Sequence, residues 1–157
     1  MLNKSQRFGQ KAEGMAARYL KRCGYKIVAR NHRTRCGEID IIAREGETLV
    51  FVEVKARTSN RYGSAKAAVT PHKQRQVSKV ALAYLQMTDQ SHVKARFDVI
   101  TVTRHEGTHT IDLIRNAFGL SYGLAHHAGA LNTLCRGNAD RQNGRFYPSG
   151  AEDFAGG

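Results

Sequence analysis

GEIDIIAREGETLVFVEVK, residues 37–55, is the stretch that decides the fold. Its halves, Gly37–Arg44 and Thr48–Lys55, are rich in the β-branched residues that suit strands, and Glu45-Gly46 between them offers a tight turn. Strand side chains alternate faces, so Val50, Val52 and Val54 point one way and Phe51, Glu53 and Lys55 the other. With Glu45-Gly46 as a two-residue turn, Arg44 lies opposite Glu47, Asp40 opposite Phe51 and Glu38 opposite Glu53. That register puts Asp40 on the face of Glu53 and Lys55, diagonal to Glu53 with about 7 Å between the backbones. A slip of one residue would send the two carboxylates to opposite faces.

Outward from this hairpin the pattern alternates between helical and strand periods. Ser5 is placed to cap a first helix whose apolar positions Phe8, Ala12, Met15, Ala16, Tyr19, Leu20 and Cys23 follow helical spacing, with Gly24 closing it. Tyr25–Arg30 follows as a strand, and HRTRC as the loop into the hairpin. After a polar loop, Ser59–Ala68, Thr70 and Pro71 mark the start of a second helix with a stripe of Val77, Val80, Ala81, Tyr84 and Leu85. Arg96–Thr103 and Thr108–Ile114 complete the strands, joined across HEG. The order α-β-β-β-α-β-β predicts an α/β layer fold, a central mixed β-sheet flanked by helices.

The chain has 157 residues, with 25 Lys or Arg against 13 Asp or Glu, a net charge of +12. Residues 1–118 hold 22 of those cations and 10 of the acids, so they carry the whole excess. Residues 119–157 hold three of each, no lysine and 8 of the 15 glycines, and are expected to form a loosely ordered C-terminal tail beyond a single domain at 1–118. A surface this basic argues against a sensor of cationic ligands and for a phosphate-bearing polymer, with an anionic membrane as the second choice.

The sequence has no apolar run long enough to span a membrane and no secretory leader, so a cytoplasmic protein is expected. Cys23, Cys36 and Cys135 are odd in number and form no Cys-X-X-Cys pair, which points to reduced thiols. His126-His127 with Cys135 lacks the spacing and fourth ligand of a zinc site.

Three charged residues stand where strands favour apolar ones: Asp40, Glu53 and Lys55. Two nearby carboxylates in a partly buried site repel each other, and a divalent cation relieves the repulsion. Oxygen ligands of this kind suit Mg²⁺ or Mn²⁺, completed by waters and substrate phosphates. Lys55 beside them can orient or activate a water and stabilise charge on a phosphate, so the set fits metal-assisted phosphodiester hydrolysis. A solvated charged strand face is the plainer alternative. Arg30, Arg33, Arg35, Arg57, Arg61 and Lys66 flank the hairpin in loops, and Lys73 and Arg75 open the second helix. Such groups contact the phosphate backbone without reading sequence. Glu38 shares the face of Asp40 and is either part of the site or a partner of Arg33 or Arg35. Gly63-Ser64 lies in the loop after the site, where a gate or an ordinary turn fits. Asp98 is expected to pair with Arg96.

Asp40 followed by Glu53-Val54-Lys55 resembles the Asp…Glu-X-Lys motif of the restriction-endonuclease-like nuclease superfamily. FGQKAEGMAARYLKRCGYKIVARNHRTRCGEIDIIA, LVFVEVKAR and RFDVITV resemble the YraN-like bacterial family, itself similar to archaeal Holliday-junction resolvases. The resemblance runs from Phe8 to Phe118 and implies a restriction-endonuclease-like sheet with its active site on the central hairpin. It also implies a glutamate on the first helix as a third metal ligand, which maps to Glu13. The alternative for Glu13 is an exposed carboxylate paired with Arg18 or Lys21. Together these readings predict a Mg²⁺- or Mn²⁺-dependent nuclease acting on structured or branched DNA, with a possible homodimer by analogy with resolvases. Asp40, Glu53 and Lys55 are its catalytic set, Glu13, Asp40 and Glu53 its metal ligands, and Arg33, Arg35, Arg57, Arg61 and Lys73 its nucleic-acid contacts. The alternative is a nucleic-acid-binding protein of the same fold with little or no turnover.

Overall fold

The computed structural model describes residues 1, 3–58 and 69–120. The chain runs α1 (Lys4–Arg22), β1 (Lys26–Thr34), β2 (Gly37–Glu45), β3 (Thr48–Arg57), α2 (Pro71–Met87), β4 (Ala95–His105) and β5 (Thr108–Phe118). The five strands form one mixed sheet in the order β1-β2-β3-β4-β5, with β3 and β4 parallel and the other pairs antiparallel. A parallel pair needs a crossover, and α2 lies in the connection between β3 and β4. The α/β layer architecture is as the sequence pattern predicts.

The cap of α1 is Asn3, not Ser5. Asn3 Oδ1 accepts the Gln6 N–H at 2.8 Å and Gln6 Oε1 accepts the Asn3 N–H at 2.9 Å, a reciprocal box that Ser5 lacks. Phe8, Ala12, Ala16, Ala17 and Leu20 press one side of the helix onto the sheet, and the three alanines allow a close approach. Gly24, at φ +88°, turns the chain out of the helix so that Tyr25 packs back into the core.

Strand β3 divides the molecule. Val50 and Val52 face α1 with Ile41, Ala43, Ile100 and Val102, whereas Leu49 and Phe51 face α2 with Ile39, Ile42, Phe97, Val77, Val80 and Tyr84. All these side chains are at least nine-tenths buried, so slipping the hairpin by one residue would expose both cores.

Asp98, paired with Val52 and fully buried, centres a second charged network in the sheet. It accepts from Arg96 Nε at 3.0 Å, Arg96 Nη2 at 3.1 Å and the Asn116 N–H at 2.9 Å. Glu45 joins Arg96 and Arg115, both at 2.7 Å. The expected Arg96–Asp98 pair is therefore present, as part of a network tying β2, β4 and β5.

Two further expectations change. HRTRC is not a loop, because β1 continues to Thr34; Asn31, at φ +51°, lets the strand bend and carry on. Cys36 is disulfide-bonded and not a reduced thiol, while Cys23 is free and exposed. Arg61, Gly63-Ser64, Lys66, His126-His127, Cys135 and the tail beyond Leu120 lie outside the described residues. Among those described, no helix is long and apolar enough to cross a membrane.

Candidate metal centre and phosphate-facing surface

The hairpin turn is Gly46-Glu47, flanked by Glu45 opposite Thr48. Gly46 has φ +55°, which a glycine adopts at no steric penalty, and this moves the turn one residue along from Glu45-Gly46. The pairs are therefore Arg44 with Leu49, Ile42 with Phe51 and Ile41 with Val52, two residues from the expected register. A shift of two keeps the side chains from Ile41 to Glu45 on their expected faces. It removes Asp40 from opposite Phe51 and Glu38 from opposite Glu53.

The ladder between β2 and β3 stops at Ile41–Val52. Ile39 packs on the α2 side and Ile41 on the α1 side although they are two residues apart, so the pleat breaks at Asp40. There the carboxylate replaces a strand partner: Asp40 Oδ2 accepts the Val54 N–H at 2.7 Å. Asp40 thus sits in the split between two strands. Burial and the neighbouring Glu53 push its pKa up to about 7, against the Val54 hydrogen bond and Lys73, which lower it.

Glu53 is only 3% exposed. Its Oε1 accepts from Lys55 Nζ at 2.8 Å and lies 3.4 Å from Lys73 Nζ, which reaches down from the first turn of α2. Its Oε2 is buried with no hydrogen-bond partner. Lys73 was expected at the phosphate surface; the structure places its ammonium on Glu53 as well. Nothing in the local spacing signals this contact, because it depends on where the β3–α2 connection sets down the helix.

Glu13 faces the β1–β2 hairpin and not its own helix neighbours Arg18 and Lys21. Burial raises its pKa, opposed by Arg30, by a hydrogen bond from Asn31 and by Arg33. It also raises the pKa of Asp40, so its field reaches the pair. Among the described residues no three His, Cys, Asp or Glu side chains converge into a cation cage. Glu13 therefore meets Asp40 and Glu53 through its charge and not as a third converging carboxylate.

The pair alone fits a hard divalent cation. It offers oxygen donors, one carboxyl whose pKa burial and the Glu53 charge push up to about 7, and one buried oxygen without a partner. Mg²⁺ commonly takes one or two carboxylates and fills its shell with waters and substrate phosphates.

Around the pair, Arg33 is exposed and bonds Glu38 at 3.0 Å, which assigns Glu38 to an ion pair. Arg33, Thr34, Gly37, Glu38, Lys73 and Gln76 line a polar cleft beside the pair. Gly37 is obligatory there. Its φ is +139°, and a Cβ would stand 2.5 Å from the Gln76 side chain. Arg35 is exposed at the tip of the β1–β2 turn, and Arg57 ends β3 two residues beyond Lys55. His32, missed in the supposed loop, is held neutral by burial with its ring edge on Tyr84.

A family model described as "Uncharacterised protein family UPF0102" matches residues 12–102. A UPF0102 protein of Geobacter metallireducens is 53% identical over 120 residues, covering 76% of this chain and 97% of the relative. One from Desulfosudis oleivorans is 50% identical over 118 residues, covering 75% and 94%. Among solved structures, "The structure of Pyrococcus Furiosus SfsA in complex with Ca2+" matches at 12% identity and a TM-score of 0.37, over 68% of this chain and 62% of that one.

Proposed function

The chain belongs to the family described as Uncharacterised protein family UPF0102, and from its own site we propose that it is a metal-dependent nuclease hydrolysing phosphodiester bonds in DNA, structured or branched DNA above all. The observation that carries this is the Asp40–Glu53 pair, a half-buried and a buried carboxylate with an orphaned oxygen, bracketed by Lys55 and Lys73 in a chain of net charge +12. Opposing ions of this kind are expensive to bury and persist where a ligand needs them.

Asp40 and Glu53 would hold Mg²⁺ or Mn²⁺, with Glu13 adding negative field from α1. The bound cation supplies Lewis acidity toward a phosphoryl oxygen and makes water a stronger acid. The Val54 N–H fixes Asp40 Oδ2, so one ligand is oriented before substrate arrives. Lys55, about a third exposed at its side chain, reaches from Glu53 to solvent, where its ammonium can orient the attacking water and stabilise charge on the phosphate. Lys73 and Arg33 line the adjoining cleft and would position the phosphate backbone, with Arg35 and Arg57 extending the contact. This activity belongs with the chromosome, in the cytoplasm.

One observation favours a second reading. Lys55 is engaged with Glu53, and no third ligand converges among the described residues, as suits a nucleic-acid-binding protein without turnover. The test offers linear, flapped and four-way-junction DNA with Mg²⁺ or Mn²⁺ to the wild type, Asp40→Asn and Lys55→Ala. The nuclease reading predicts cleavage that both substitutions abolish. Metal-independent binding with no cleavage of any substrate leaves only the second.

A further inference from the structure

Helix α1 carries Lys4, Arg7, Lys11, Arg18, Lys21 and Arg22, all exposed. At 100° per residue they fall within an arc of roughly 100°, one continuous stripe along the helix. The sheet-facing residues Phe8, Ala12, Ala16 and Leu20 lie on the far side of the helix. Glu13, the helix's single acid, is on a flank turned toward the β1–β2 hairpin, so no negative group interrupts the stripe. None of the six cations takes part in an ion pair with another described residue.

We propose that this outward face of α1 is a second DNA-binding surface, which takes a duplex arm other than the one presented to Asp40 and Glu53. The inference rests on the reading of the partner as DNA, but not on turnover. From Lys4 to Arg22 the helix rises about 27 Å, the length of roughly 8 base pairs, so the stripe matches the phosphates of most of one duplex turn. The site's own cations, Lys55 and Lys73, open on the α2 side of the sheet. The sheet and α1 itself stand between that opening and the stripe, and DNA is stiff over about 150 base pairs. One straight duplex cannot touch both surfaces, whereas two arms of a branched molecule can. An anionic membrane fits less well, because the apolar side of α1 is spent on the core and leaves nothing to insert.

The test is fluorescence anisotropy in EDTA, which prevents cleavage, with a labelled four-way junction and a labelled 20-base-pair linear duplex across a KCl series. Arg7→Gln/Lys11→Gln/Arg18→Gln keeps helix propensity, and its thermal midpoint checks folding. Lys26→Gln/Lys94→Gln is the charge control away from both surfaces. For the stripe variant on the junction, the slope of log K against log salt should fall by roughly 2–3. The preference for junction over linear duplex should fall toward one, with the control unchanged. An unaltered preference, an equal loss on both DNAs, or phosphatidylserine vesicles that bind the wild type but not the stripe variant, with junction binding intact, overturns the proposal. If nothing is cut in Mg²⁺ or Mn²⁺ but the stripe variant loses junction preference, the nuclease reading fails and the second surface stands. If junctions are cut while the stripe variant keeps its preference, the reverse holds.

Discussion

Replacing Asp40 with Asn separates what the site needs from what the fold needs. Burial first, and Glu53 second, move the Asp40 carboxyl from an ordinary 3.8 to about 7. A raised carboxyl pKa means that the native state holds this proton more tightly than the unfolded chain does. The native state is then penalised only when the group is forced to ionise. The penalty is absent below pH 4, grows through the window between about 4 and 7, and is full above it, where the shift corresponds to about 4 kcal/mol. Asparagine keeps an oxygen for the Val54 N–H and removes the charge. In metal-free buffer at pH 8, urea unfolding should find Asp40→Asn more stable than the wild type by as much as about 4 kcal/mol, and by about 3 kcal/mol less than that at pH 5. The same variant should lose metal-dependent activity, the exchange of stability for function expected of a strained site. A variant less stable than the wild type at pH 8, or a difference equal at pH 5 and pH 8, refutes the reasoning.

Mg²⁺ or Mn²⁺ should raise the thermal midpoint of the wild type progressively with concentration, by mass action on the native state, and do so little in Glu53→Gln; differential scanning fluorimetry reads both. Asp98→Ala leaves the Asn116 N–H without its acceptor and the Arg96 guanidinium with Glu45 as its remaining carboxylate, and should cost about 1–3 kcal/mol in urea unfolding without a metal-dependent component. Gly37→Ala meets both a positive φ and the Gln76 side chain, and should cost about 1–3 kcal/mol. Adding Gln76→Ala should recover the steric part only, measured in the same assay.

The fold was legible because period and charge pattern agreed. Alternation in TLVFVEVK assigns Val50 and Val52 to one core and Leu49 and Phe51 to the other, and both cores are occupied as that alternation requires. The face shared by Asp40 and Glu53 was legible for the same reason. Its register was not, since a turn at Glu45-Gly46 and one at Gly46-Glu47 differ by two residues and leave all faces unchanged. The extension of β1 through His32 was hidden because Asn31 reverses the local backbone at φ +51° and breaks the alternation that marks a strand. Lys73 on Glu53 was hidden for a different reason. It is a contact between elements 20 residues apart whose placement depends on a crossover, and no local pattern encodes it. The ion pair of Glu38 with Arg33 follows from antiparallel pairing of β1 with β2, which appears only once β1 is seen to reach the turn.

The central claim is that Asp40 and Glu53 hold a divalent cation for phosphodiester hydrolysis. It is tested most directly by the cleavage rate of an end-labelled four-way junction as a function of Mn²⁺, for the wild type and Asp40→Asn at DNA concentrations that saturate both. The rate should rise with Mn²⁺ to a plateau in the wild type, vanish in EDTA, and be absent from Asp40→Asn although that variant still binds the junction. A rate indifferent to Mn²⁺, or an Asp40→Asn protein that cuts as fast as the wild type, contradicts it.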